Sequence, residues 1–141
     1  MKVIIDCNIW ISFLLGRQTV LIQHILTDPR LEVYICKELL HEIQEVTERD
    51  KIRKYVNSDD VSTLFSLLHI YCKFVKIGRQ AESPIRDAKD LYLLSLAETV
   101  KADVIVSGDK DLLVLENHGE TRMVTLAKFK ENLGYKFPIS S

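Results

Sequence analysis

Two short runs, Val3-Ile4-Ile5 and Val104-Ile105-Val106, are apolar at every position rather than at alternate ones. A strand with one solvated face alternates polar and apolar residues. A strand that is apolar throughout needs cover on both faces, the habit of parallel sheets packed between helices. The chain between the two runs agrees with this. Val33, Tyr34 and Ile35 form a second strand, and Leu39, Ile43 and Val46 then recur at helical spacing. A helix from Asn8 to about Leu15 and another with Val20, Leu21, His24 and Ile25 inward, ending before Pro29, precede that strand. Asn57 or Ser58 can cap a helix whose inner face carries Val61, Leu64, Phe65, Leu68 and Tyr71. A short strand, FVKI, starts at Phe74, and the polar stretch RQAESPIRDAKD, with Pro84, reads as a loop. Leu91, Leu94, Ala97 and Val100 mark the next helix. After the 104–106 run come a turn at Gly108, a strand from Arg122 to Val124 and a helix through Phe129. Strands alternating with helices predict one α/β domain over residues 1–141.

Charge narrows the function classes. The formal net charge is −1, so no global basic field marks a protein that holds nucleic acid by charge alone. Cys7, Cys36 and Cys72 are odd in number and widely spaced, which implies neither a disulfide framework nor a structural zinc site. Cys36 and Cys72 read as small buried hydrophobes. No apolar stretch reaches the roughly 20 residues of a membrane span. Asp6 and Asn8 interrupt the first apolar run, so no signal peptide is expected, and the chain reads as cytoplasmic.

The acids fall at informative places. Asp6 directly follows the first strand, and Asp109 follows the 104–106 strand after Ser107 and Gly108. Open α/β sheets bind ligands beyond the carboxyl ends of their strands, so neighbouring strands would bring these acids together. Taken alone, each reads equally as a helix cap or a ligand. Asp90 opens the helix DLYLLSLAETV in an inward register, where it could also complement the helix dipole. Glu42 sits beside the apolar stripe of its helix, a costly place for an unpartnered acid. Two unit charges about 4 Å apart repel by about 4 kcal/mol at an effective dielectric near 20. A cleft holding four carboxylates therefore needs protons or cations. An all-oxygen donor set selects hard ions, Mg²⁺ or Mn²⁺, and such ions serve attack on phosphate esters.

The order of these features resembles the PIN-domain ribonucleases: DCN at Asp6 to Asn8, Glu42 in ELLHEIQEV, RDAKD from Arg86 to Asp90, and SGDKDLL from Ser107. The resemblance covers nearly the whole chain, and at this compact length it is most similar to the toxin subunits of prokaryotic toxin–antitoxin pairs. It implies a three-layer α/β/α domain with a roughly five-stranded parallel sheet, and Mg²⁺- or Mn²⁺-dependent hydrolysis of RNA. Asp6, Glu42, Asp90 and Asp109 would form an acidic tetrad that is both catalytic and metal-binding. Asn8 and Ser107 would orient the tetrad or a bound water. Asp87 and Asp111 are auxiliary candidates that read as readily as surface or cap residues. A homodimer and a cognate antitoxin protein are the implied partners. The chain departs from many relatives in carrying Cys7 where they have Thr; its thiol either faces the core or lies beside the metal.

Two other readings stay open. A phosphatase of the haloacid dehalogenase type also places an Asp after its first strand, but needs a second acid where this chain has Asn8. A non-catalytic RNA- or protein-binding module is the other. Lys51, Arg53, Lys54, Arg79, Arg86 and Lys89 could contact phosphates or simply be solvated. Tyr55 and Tyr92 could stack on bases or belong to core or rim. Trp10, Phe13 and Leu14 read as helix core or dimer surface.

Overall fold

The computed structural model describes residues 1–134 except 17, 84 and 86. Six strands form one sheet among these residues: β1 (Lys2–Ile5), β2 (Glu32–Ile35), β3 (Lys73–Phe74), β4 (Val104–Val106), β5 (Asn117–His118) and β6 (Thr121–Val124). Their spatial order is β3-β2-β1-β4-β6-β5. The first five are parallel to one another, as expected, and β5 adds an antiparallel edge. Gly119, at φ +61°, opens the two-residue turn between β5 and β6. Strand β1 is central, pairing Val3 with both Val33 and Val104. Val3, Ile4 and Ile5 are all fully buried, so both faces of β1 are covered. This is a three-layer α/β/α arrangement.

Among the described residues eight helices supply the cover: α1 (Cys7–Leu15), α2 (Thr19–Thr27), α3 (Lys37–Thr47), α4 (Asp50–Arg53), α5 (Ser58–Tyr71), α6 (Ala88–Val100), α7 (Lys110–Leu113) and α8 (Leu126–Leu133). Asn57 caps α5 in a reciprocal box with Asp60. Helix α6 is buried on several sides at once, with Leu93, Leu94, Ser95, Leu96 and Ala97 all in the interior. Trp10 and Phe13 are core and not dimer surface: both are fully buried, their rings meet edge to face at 5.9 Å, and the Trp10 indole donates to the Ile5 carbonyl at 3.0 Å.

Several sequence expectations need correction. Val20 and His24 are exposed; the inner stripe of α2 is Leu21, Ile22, Ile25 and Leu26. The apolar pairs 21/22 and 25/26 repeat every four residues, and Val20 stands one residue outside that stripe. Tyr71 is 45% exposed because α5 ends there, beyond the buried Leu64 and Leu68. Cys72 is only half-buried. Pro84 and Arg86, expected in the loop before α6, lie outside the described residues.

Candidate active site

The chain runs from β1 toward β2 but from β4 toward β6, so the strand order reverses between β1 and β4. Their carboxyl ends open the crevice where such sheets place ligands. Asp6 extends the ladder there, its N–H donating to the Val106 carbonyl at 2.9 Å, and its own carbonyl accepts from Ile9 and Trp10 as α1 begins. The backbone is thus committed on both sides, and the side chain projects from the strand end. Its carboxylate does not cap α1. Instead Oδ2 accepts from the Ser107 hydroxyl at 2.6 Å.

Ser107 is the hub of this corner. It is wholly buried, its N–H donates to the Val124 carbonyl, and its Oγ accepts from the Asp109 N–H at 3.0 Å. Asp109 in turn caps α7, accepting from the Asp111 N–H at 2.9 Å. The cap and ligand readings of Asp109 therefore coexist: one oxygen caps, and the residue still faces its neighbours. Asp90, in the first turn of α6, is 4% exposed, and its Oδ2 has no hydrogen-bond partner among the described residues. Carboxylate oxygens of Asp90, Asp109 and Asp111 all lie within 4.8 Å of one another.

The electrostatics follow from that crowding. Burial lifts the Asp6 carboxyl from its ordinary 3.8 to about 6, against the pull of the Ser107 hydrogen bond, with the charges of Glu42 and Asp109 adding to the rise. Asp90 is raised to about 7, by burial first and then by Asp109, Asp87 and Asp6. Glu42 is half-buried on α3, and its Oε1 accepts from the Tyr92 hydroxyl at 2.6 Å. Burial and the Glu42 charge push the Tyr92 hydroxyl well above its usual range, so it remains a donor. Asp87 caps α6 through the Lys89 N–H and is exposed. Asn8 is exposed on the first turn of α1.

Cys7 is 2% exposed, and burial, with Glu42 and Asp6 adding, pushes its thiol up to about 12. It is a protonated core side chain. Lys89 and Arg49 are the cations whose charge reaches it. Lys51, Arg53, Lys54, Tyr55 and Arg79 are exposed, and Arg86 lies outside the described residues. A groove of about 950 Å³ between α3 and α5, walled by Arg53 and Phe65, includes none of the acids.

The same elements mark a known family: residues 2–111 match its sequence model, described as the PIN domain. The chain belongs to the PIN-domain family. No curated protein matches it in sequence. In fold, this PIN domain is similar to a chain of VapBC2 from Rickettsia felis, solved bound to a DNA fragment from their promoter. That likeness has a TM-score of 0.58 at 13% identity, over 89% of this chain and 98% of the other. It is also similar to the PIN domain of T. brucei RRP44, with a TM-score of 0.51 at 16% identity over 94% and 80% of the two chains.

The donors of this PIN domain suit a divalent cation. The unpartnered Asp90 oxygen is a buried acceptor with nothing to accept from, and three carboxylates share a space that repulsion would otherwise open. The cluster holds no sulfur: Cys7 is buried and lies outside it. Asp90 and Asp109 are brought together as the sequence suggested, and Asp111 joins them more closely than its reading as an auxiliary implied. Asp6 and Glu42 stand outside that trio: Ser107 links Asp6 to the Asp109 backbone, and the charge of Glu42 on α3 is felt at Asp6. Sequence reasoning missed Tyr92 as the partner of Glu42. The two are 50 residues apart, and no local pattern links them.

Proposed function

We propose that this PIN domain is a Mg²⁺- or Mn²⁺-dependent ribonuclease, and the toxin of a toxin–antitoxin pair. The observation that carries the reading is the buried, unpartnered Asp90 carboxylate oxygen within 4.8 Å of Asp109 and Asp111 at the β1/β4 edge. Asp6, Glu42, Asp90 and Asp109, with Asp111 in support, would hold the ion. A cation bound there would supply charge neutralisation at a phosphodiester and a water acidic enough to attack it.

The residues of the chain do the positioning. Three acids each have one oxygen held by a donor: Asp6 by the Ser107 hydroxyl, Asp109 by the Asp111 N–H, and Glu42 by the Tyr92 hydroxyl. Each anchor restrains a carboxylate before a ligand arrives, so less ordering is left to be done on binding. Asp90 Oδ2 has no such anchor, and burial, with the charges of Asp109, Asp87 and Asp6, favours the protonated carboxyl there. Deprotonation of Asp90 and Asp6 therefore accompanies loading of the site. Asn8 and Asp87 are exposed, and in this reading they orient what approaches.

The PIN-domain match favours hydrolysis of RNA over the phosphatase reading, and the carboxylate cluster favours an enzyme over a bare binding module. The likeness to VapBC2, across almost all of that chain, supports a protein antitoxin as partner. A homodimer in the cytoplasm completes the proposal. Among the described residues no helix is long and apolar enough to cross a membrane.

The test is cleavage of a labelled RNA pool with Mg²⁺ or Mn²⁺, against EDTA and Asp6→Asn controls. Metal-dependent cutting that is lost in the variant is expected. A folded, antitoxin-free protein that neither cuts RNA nor binds either ion in calorimetry would end the nuclease reading.

A further inference from the structure

A net charge of −1 and an acidic cleft leave little general attraction for a polyanion, so contacts to the bases gain weight in holding the substrate. Single-stranded RNA offers the alternative: its unpaired bases can be splayed into pockets and read on their edges. A second pocket of about 380 Å³ lies beside the acids, within the range of small-ligand sites. Its polar lining is Glu38, Arg79, Gln80, Tyr92 and Ser95, and its apolar lining includes Ile77 and Leu91. Tyr92 belongs to both places, lining the pocket while its hydroxyl holds Glu42. Glu38 lies four residues before Glu42 on α3, one helical turn along the same face. The pocket is therefore one turn from the proposed cleavage centre.

The pocket is also built rather than incidental. The segment that closes it is tied to α6 by two side chains: the Ala81 N–H donates to Ser95 Oγ at 2.8 Å, and the Gly78 N–H to Thr99 Oγ1 at 3.1 Å. Ser95 lines the pocket and is itself buried, so wall and floor share one hydrogen-bonded frame.

Resting on the ribonuclease reading, we infer that this pocket takes the unpaired base flanking the scissile phosphodiester and selects guanine. The chemistry of the lining makes the choice. A carboxylate only accepts hydrogen bonds, and it is best matched by two donors side by side. Guanine presents such a pair on its Watson–Crick edge, N1–H and the N2 amino group. Arg79 and Gln80 carry the donors that guanine O6 and N7 require. Adenine and cytosine offer one amino group each and no adjacent ring N–H, and uracil offers a single N–H. The apolar lining at Ile77 and Leu91 receives the face of the base.

Two measurements on the full chain test this. The first is sequencing of cleavage ends from a randomised single-stranded RNA pool, for the unmodified protein and Glu38→Gln. Guanosine is expected to be enriched at one fixed offset from the cut, and Glu38→Gln to reduce that enrichment about tenfold or more. A helix-terminal role for Glu38 would change stability but not base preference. Cutting without a fixed guanosine, or an enrichment unchanged in Glu38→Gln, would overturn the inference. The second is equilibrium binding of short G-, A-, C- and U-containing oligonucleotides in EDTA, which reads the pocket even if the protein never cleaves. There, tighter binding of the G oligomer that is lost in Glu38→Gln sustains the pocket while the nuclease reading fails. Equal binding of all four overturns the inference.

Discussion

Replacing Asp6 with asparagine removes a charge that the fold holds where charge is expensive. In the native protein the Asp6 carboxyl titrates near pH 6, against an ordinary value of 3.8, chiefly because it is buried. The sign follows from linkage. Below about pH 4 both folded and unfolded chains hold the proton, and Asp6 contributes nothing to stability. Between about pH 4 and 6 the unfolded chain releases its proton first, so stability falls as pH rises. Above about 6 the full penalty is present and constant. A shift of about two units at about 1.4 kcal/mol each puts that penalty near 3 kcal/mol. Asp90 adds a loss in the same direction up to about pH 7, but it shares its titration with neighbouring acids and is not separable from them.

Asparagine keeps the shape and an oxygen that can accept from Ser107, so the 2.6 Å hydrogen bond has a neutral counterpart. In urea titrations with EDTA at pH 8, Asp6→Asn should be more stable than the native chain, by up to about 3 kcal/mol. At pH 4 the two should be close. Saturating Mg²⁺ should narrow the gap at pH 8 by stabilising the native chain alone, since a ligand that binds only the folded state raises its stability. The variant should thus be a better-folded and inactive protein. A variant less stable than the native chain at pH 8 in EDTA, or native stability flat from pH 4 to 8, would refute the argument that burial of these carboxylates sets their chemistry.

Tyr92→Phe removes the hydroxyl that holds Glu42 while keeping the ring, and should raise the Mg²⁺ concentration needed for half-maximal cleavage about tenfold or more with the fold intact by circular dichroism. Ser107→Ala leaves both Asp6 Oδ2 and the Asp109 N–H without their partner; it should cost about 1–3 kcal/mol in urea unfolding. Because that hydrogen bond lowers the Asp6 pKa, the acid limb of the cleavage pH profile should also move to higher pH. The Cys7 thiol, with its pKa near 12 and almost no exposure, should resist iodoacetamide at pH 7.5 until the protein is unfolded, which mass spectrometry of the alkylated chain reads directly.

Legibility in the sequence followed the length scale of each signal. Strands β1 and β4 were readable because three successive apolar residues leave no solvated face, and their neighbouring ends then fixed where Asp6 and Asp109 had to be. Strand β3 was expected near its place, as FVKI from Phe74, and spans only Lys73–Phe74, whereas β5 carries no such pattern. Lys73 and Phe74 are exposed, and β5 exists only because Gly119 turns the chain back onto β6. The four candidate acids stand out in the sequence because each sits at an element end or beside an apolar stripe, positions that sequence spacing reports. Their hydrogen-bond donors were only half visible. Ser107 lies two residues from Asp109 and travels with it. Tyr92, by contrast, meets Glu42 only after α3 and α6 have docked, so its role is a property of the packed molecule. The distinction has a physical root: a carboxylate is recognisable wherever the chain delivers it, whereas an anchor need only be some donor of the right length.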